Sequence, residues 1–126
     1  MPMTLEISRK TLLDTEIRRA EQHALVALRG ELDLSTASQL FNQLAELSRA
    51  GVRHVALDLT DLAFIDSTGL SVIVAEHKRV ESLGGELIVF SPQPNVRRLL
   101  EVSGLTEYLT IRPATDASSG RGDSDA

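Results

Sequence analysis

Apolar residues recur along the chain with two different periods, and the places where one period gives way to the other outline its elements. Leu12 to Ile17 and Ala24 to Leu28 are short strand-like runs separated by the polar stretch Arg18-Arg19-Ala20-Glu21-Gln22, a pattern that predicts an antiparallel hairpin. Gly30 breaks the second run. Ala37, Leu40, Phe41, Leu44 and Leu47 then fall on one helical stripe, with Ser35 or Thr36 placed to cap it and Ala50-Gly51 to end it. Val52 to Leu59 is rich in β-branched and aliphatic residues and predicts a third strand, ended by the polar pair Thr60-Asp61. Beyond Phe64-Ile65-Asp66-Ser67-Thr68-Gly69 a second helix is predicted. Leu70, Ile73, Val74, His77, Val80 and Leu83 form its apolar face, and Glu76, Lys78, Arg79 and Glu81 its polar one.

Gly84-Gly85 stops that helix before Leu87 to Phe90, a run with no polar interruption, as expected of a strand covered on both faces. Pro92 and Pro94 mark a loop, with Pro94 suited to a first helical turn. Val96, Leu99, Leu100 and Val102 make a short stripe before Gly104, and Tyr108 to Ile111 is a last strand-like piece. A hairpin followed by alternating helices and strands predicts an α/β domain: a mixed, mostly parallel sheet with helices packed on it through right-handed crossovers. In such sheets, sites form at the carboxyl ends of strands, which places Asp33 and Ser67 on one rim. Residues 1–11, with weak alternation at Leu5 and Ile7, are read as a flexible or loosely attached arm. Residues 12–112 are read as the domain. Residues 113–126, where no large apolar side chain follows Pro113, are read as a disordered tail.

Composition narrows the chemistry. A length of 126 residues suits one domain with one core, and 42% hydrophobic with 25% charged residues is the balance of a soluble protein. A formal charge of −5 leaves no electrostatic footprint for nucleic acid. No apolar run is long enough to span a membrane, and the first residues lack the apolar core of a signal peptide, so a cytoplasmic protein is expected. The absence of cysteine excludes disulfides, thiolate catalysis and cysteine metal sites.

The transition at Asp66-Ser67 presents one serine where strand becomes helix, and Asp66 or Ser67 can cap the helix by accepting from first-turn N–H groups. A helix N-terminus there offers free N–H groups and a favourable dipole to an anion. Three segments, Asp66-Ser67-Thr68-Gly69-Leu70, Gly30-Glu31-Leu32-Asp33 and Val102-Ser103-Gly104-Leu105, resemble the STAS domain of bacterial anti-sigma factor antagonists in order and spacing over roughly residues 12 to 112. The resemblance implies a STAS-type fold. It also implies that the unphosphorylated form binds an anti-sigma factor that is itself a serine/threonine kinase, releasing a sigma factor for transcription. That kinase, using its own ATP and magnesium, would phosphorylate Ser67 and so end the binding, and a serine/threonine phosphatase would reset the protein. It further implies that Asp33, Asp66, Ser67, Thr68 and Gly69 lie on the partner surface, with no cofactor or metal, and a monomer or weak dimer in solution.

Other readings of the same residues are weaker. A hydrolase elbow needs glycine two residues before the serine, where Ile65 stands, and nothing ties His23, His54 or His77 to Ser67 as a base. No His/Asp/Glu spacing suits a metal, and Gly84-Gly85 has no phosphate-loop pattern around it, so no enzymatic activity is expected. Read by residues alone, the better reading of Ser67 is a helix cap and of Asp33 a turn residue, and it is the resemblance that raises both. Arg121-Gly122-Asp123 in the tail is read as coincidence. The competing functional class is a STAS scaffold subunit of a stress-signalling or lipid-transport assembly.

Overall fold

The computed structural model describes residues 3–9 and 12–113. Six strands form one sheet in chain order: β1 (Thr4–Arg9), β2 (Leu13–Ala20), β3 (His23–Leu32), β4 (His54–Ile65), β5 (Glu86–Phe90) and β6 (Thr110–Arg112). β1, β2 and β3 run antiparallel, and β3 through β6 are parallel neighbours. The helices α1 (Ala37–Arg49), α2 (Ser67–Ser82) and α3 (Pro94–Val102) cross between successive parallel strands. Crossovers of one hand that all step in the same direction place the three helices on one face. A single core fills the space between, with Leu13, Leu28, Leu40, Leu57, Ile73 and Leu100 almost fully buried. The architecture is the mixed, mostly parallel α/β sheet with an antiparallel start that the sequence predicts.

Four details depart from the sequence reading, each for a physical reason. Thr4–Arg9, assigned above to an arm, pairs along its length with β2 as β1, although none of its described side chains joins the core. Of the tail, residues 114–126 lie outside the described residues. The polar pair Thr60-Asp61 does not end the third predicted strand. The Asp58 carboxylate accepts from Thr60 N–H at 3.0 Å and from its hydroxyl at 2.6 Å, folding extra residues into the strand as bulges against β3. Leu59, Leu62 and Ile65 therefore reach the core at a spacing of three, and β4 carries on to the Ser67 turn.

β5 is also covered by helices on one face only, since Ile88 is half-buried on the face away from them. The polar side predicted for α2 carries a buried residue: Glu76 is 5% exposed and makes an ion pair with Arg79, which also donates to Ser48 Oγ on α1 at 2.8 Å. The three histidines separate. His23 and His54 stack at a centroid distance of 4.6 Å at the start of their strands, whereas His77 is buried edge-on against Tyr108.

Candidate functional site at the Ser67 turn

β4 delivers the chain to Asp66, which leaves the sheet in an extended conformation and becomes the N-cap of α2. Its Oδ1 accepts from Gly69 N–H at 2.9 Å, satisfying one donor of the first turn. Ser67 is thus the first helical residue rather than the cap. It is exposed, and its hydroxyl has no hydrogen-bond partner among the described residues, while Thr68 beside it is half-buried. Gly69 N–H is held by the Asp66 side chain and Leu70 N–H by the Asp66 carbonyl. Among the described residues nothing outside the helix accepts from the N–H groups of Ser67 and Thr68, which lie at the positive end of a 16-residue helix. Such donors and the helix dipole favour an anion at this end of α2.

The second oxygen of Asp66 reaches across to the loop after β3. Its Oδ2 accepts from Leu34 N–H at 3.1 Å, and Asp66 N–H donates to the Leu32 carbonyl at 3.2 Å. Gly69 makes the close approach possible: a Cβ at this position would stand 2.6 Å from both the Leu32 carbonyl oxygen and its Cγ. The two strand ends are therefore locked side by side, and Asp33 and Ser67 share one rim.

Asp33 is held in a tight local turn. Its Oδ1 accepts from the Ser35 hydroxyl at 2.7 Å and from Ser35 N–H at 2.9 Å, and its own N–H donates to Thr36 Oγ1 at 2.9 Å. These donors, the Ser35 hydroxyl foremost, hold the carboxyl below the ordinary carboxylate value. Thr36 Oγ1 in turn donates to the Glu31 carbonyl at 2.9 Å, so neither candidate cap of α1 bonds into that helix; both rigidify the loop instead.

Sequence reasoning missed Leu34, which is 77% exposed between Asp33 and Ser35, and the outward turn of Phe64, 45% exposed just before the Ser67 turn. An apolar residue next to Asp33 was visible, but only the hydrogen bond to Asp66 shows that it stands beside Ser67. On the other side, Ser67, Leu70, Val74, Lys78 and Leu105 line a shallow hollow of about 410 Å³. The rim thus combines apolar side chains, a fixed carboxylate and one unengaged hydroxyl. Among the described residues, no three His, Cys, Asp or Glu side chains are grouped to hold a metal.

A one-sided α/β domain with a serine at such a turn is the architecture of a STAS domain, and the STAS family model matches residues 14–118. The chain belongs to the STAS family. It is 37% identical over 100 residues to the anti-sigma F factor antagonist of Paenibacillus polymyxa, spanning 79% of this chain and 86% of that one. The anti-sigma factor antagonist SpoIIAA in its unphosphorylated form superposes with a TM-score of 0.71, covering 97% of this chain and all of that one at 20% identity. The phosphorylated form of SpoIIAA, a Bacillus cell fate determinant, superposes with a TM-score of 0.65 at 18% identity, covering 94% of this chain and 100% of that one.

Proposed function

We propose that this chain is an anti-sigma factor antagonist whose unphosphorylated form binds an anti-sigma factor kinase and thereby releases a sigma factor. Phosphorylation of Ser67 ends the binding. The observation that carries the proposal is the Ser67 hydroxyl: exposed, unengaged, and set at the first position of α2 beside the loop that Asp66 pins in place.

The mechanism follows from charge. An unmodified rim offers Leu34, Phe64 and the Leu70–Leu105 hollow as contact surface, with Asp33 held ionised for a cation or N–H donor on the partner. The kinase supplies ATP and magnesium; this chain supplies only the acceptor hydroxyl, which attacks the γ-phosphorus as its proton passes to a base of the kinase, and the bond from the γ-phosphorus to the β,γ-bridging oxygen breaks to release ADP. The product carries about −1.5 to −2 of new charge. Within the domain, the dipole and free donors of α2 tolerate that charge, so the fold survives. Across a desolvated contact it is unpaired, and a penalty of about 3 kcal/mol weakens binding roughly a hundredfold. A phosphatase restores the hydroxyl and with it the binding surface.

The proposal is tested by incubating the chain with its cognate kinase, ATP and magnesium, then locating the modification by fragment mass spectrometry. One phosphate on Ser67 is expected, and none on the Ser67→Ala variant, which still binds the kinase. Phosphate on Thr68, or none at all, contradicts the assignment.

A further inference from the structure

The face of the sheet away from the helices carries a hollow of about 480 Å³, and the strand register shows how it is built. Ala20, His23, His54 and Glu86 are successive partners across β2 to β5, and Arg18, Leu25, Ala56 and Ile88 form the next row on the same face. The residues that alternate with them, such as Val26, Val55 and Leu87, are buried under the helices. Ala20 and Ala56 are short where Leu25 and Ile88 are long, so this face is concave rather than flat. His23 and His54, stacked at 4.6 Å, make a stiff wall along one side. Met3 lines the end at β2 and Phe90 the end at β5.

Charge divides the hollow. Arg18 and Arg19 line it at β2, Glu86 lines it at β5, and the apolar floor of Leu25, Ala56 and Ile88 lies between. Arg18 donates from Nη2 to Glu16 at 2.7 Å, and its planar guanidinium has further donors for a second anion. From β2 to β5 is three strand spacings, about 14 Å. We infer that the hollow binds a single-chain amphipathic carboxylate of the fatty-acid class. Its head group meets Arg18 and Arg19, and its chain crosses Leu25, Ala56 and Ile88. Glu86 repels the head group at the other end, which fixes the direction.

The shape and bonding of the site favour this occupant over a polypeptide. A hollow of this volume, mostly apolar with a few convergent polar groups, has the make-up of a small-molecule site. β2 to β5 are interior strands, paired on both sides, so an added strand finds no backbone donors or acceptors to pair with here. A flat protein surface would bridge the depression over Ala56 and leave it unfilled, whereas a flexible chain lies in it. The hollow sits at the amino ends of β3 and β4, and Ser67 follows the carboxyl end of β4. The inference therefore stands independently of the role proposed for Ser67.

Titration of the full chain with dodecanoate, kept below its micelle concentration and followed by amide resonances, tests it. The amides of Leu25, Ala56 and Ile88 are expected to shift saturably, and those of Leu34 and Ser67 to stay in place. Affinity should rise about fourfold for each methylene added from octanoate to dodecanoate. Dodecylamine, the same chain with a cationic head, should bind at least about tenfold more weakly. Ala56→Leu, which fills the floor from outside the core, should weaken dodecanoate binding by about tenfold or more, and replacing Arg18 and Arg19 together by glutamine should erase the preference over dodecylamine. No saturable shift, equal affinity for the two head groups, or binding untouched by Ala56→Leu overturns the inference. So do shifts of the same amides on concentrating the chain alone, which would seat a second copy there, and co-sedimentation with phosphatidylglycerol vesicles, which would seat a membrane. If Ala56→Leu unfolds, the head-group comparison and the arginine replacements decide.

Discussion

Leu34 N–H and Asp66 Oδ2, 32 residues apart in sequence and 3.1 Å apart in space, tie the loop after β3 to the turn after β4. The same carboxylate caps α2 through Gly69 N–H. One side chain thus sets both the start of the helix that carries Ser67 and the position of the neighbouring loop. Replacing Asp66 by alanine removes both bonds. A lost cap costs about 0.5–2 kcal/mol, and the unpinned loop moves Leu34 and Asp33 relative to Ser67. Urea denaturation of Asp66→Ala should show that loss, and partner affinity should fall by more than the stability change alone explains. Unchanged affinity would mean that the pinned loop is not part of the contact.

Gly69 gives a second prediction. A methyl group there meets the Leu32 carbonyl oxygen at 2.6 Å, and backbone cannot yield as a flexible side-chain end can. Gly69→Ala should therefore destabilise by about 1–3 kcal/mol, the usual cost of overpacking. It should also shift the amide resonances of Leu32 to Leu34. A variant as stable as the parent would show that the two strand ends are not in close contact.

Asp33 gives a prediction in pH. The Ser35 hydroxyl is the largest cause of its lowered pKa, so Ser35→Ala should move the Asp33 titration midpoint up towards the ordinary value, as read by carbon-detected NMR. Because the folded-state pKa is depressed, any stability linked to this carboxylate is present above its unfolded value and lost as pH falls through the folded one. The carboxylate is open to solvent, so the effect on global stability should be slight. Asp33→Ala should accordingly leave the melting temperature nearly unchanged while weakening partner binding. Normal binding by this variant would remove Asp33 from the contact surface.

Much of this geometry is legible in sequence because helices with one apolar stripe and strands bounded by glycine or proline report their partners directly. Leu40, Leu44 and Leu47 on α1 and Val96 and Leu100 on α3 are such cases, and all of them are buried. Where side chains compete with the backbone, the pattern misleads. The Asp58–Thr60 bonds look like a strand end in sequence but form a bulge in space. Glu76 looks like a solvated residue until Arg79 pairs with it in the groove between α1 and α2. Leu5 and Ile7 alternate visibly, yet with no core to join, their pattern alone could not assign them to the sheet. The Leu34–Asp66 bond has no local signature at all, since it exists only once β3 and β4 lie side by side.

Calorimetric titration of the cognate anti-sigma factor kinase with the same chain, unmodified and enzymatically phosphorylated on Ser67, separates the two states of the proposed switch. Tight binding is expected of the unmodified chain and at least roughly hundredfold weaker binding of the phosphorylated one, corresponding to about 3 kcal/mol, with the same melting curve for both. Equal affinity for the two forms, or a phosphorylated chain that loses binding only because it has unfolded, would contradict a switch seated at Ser67.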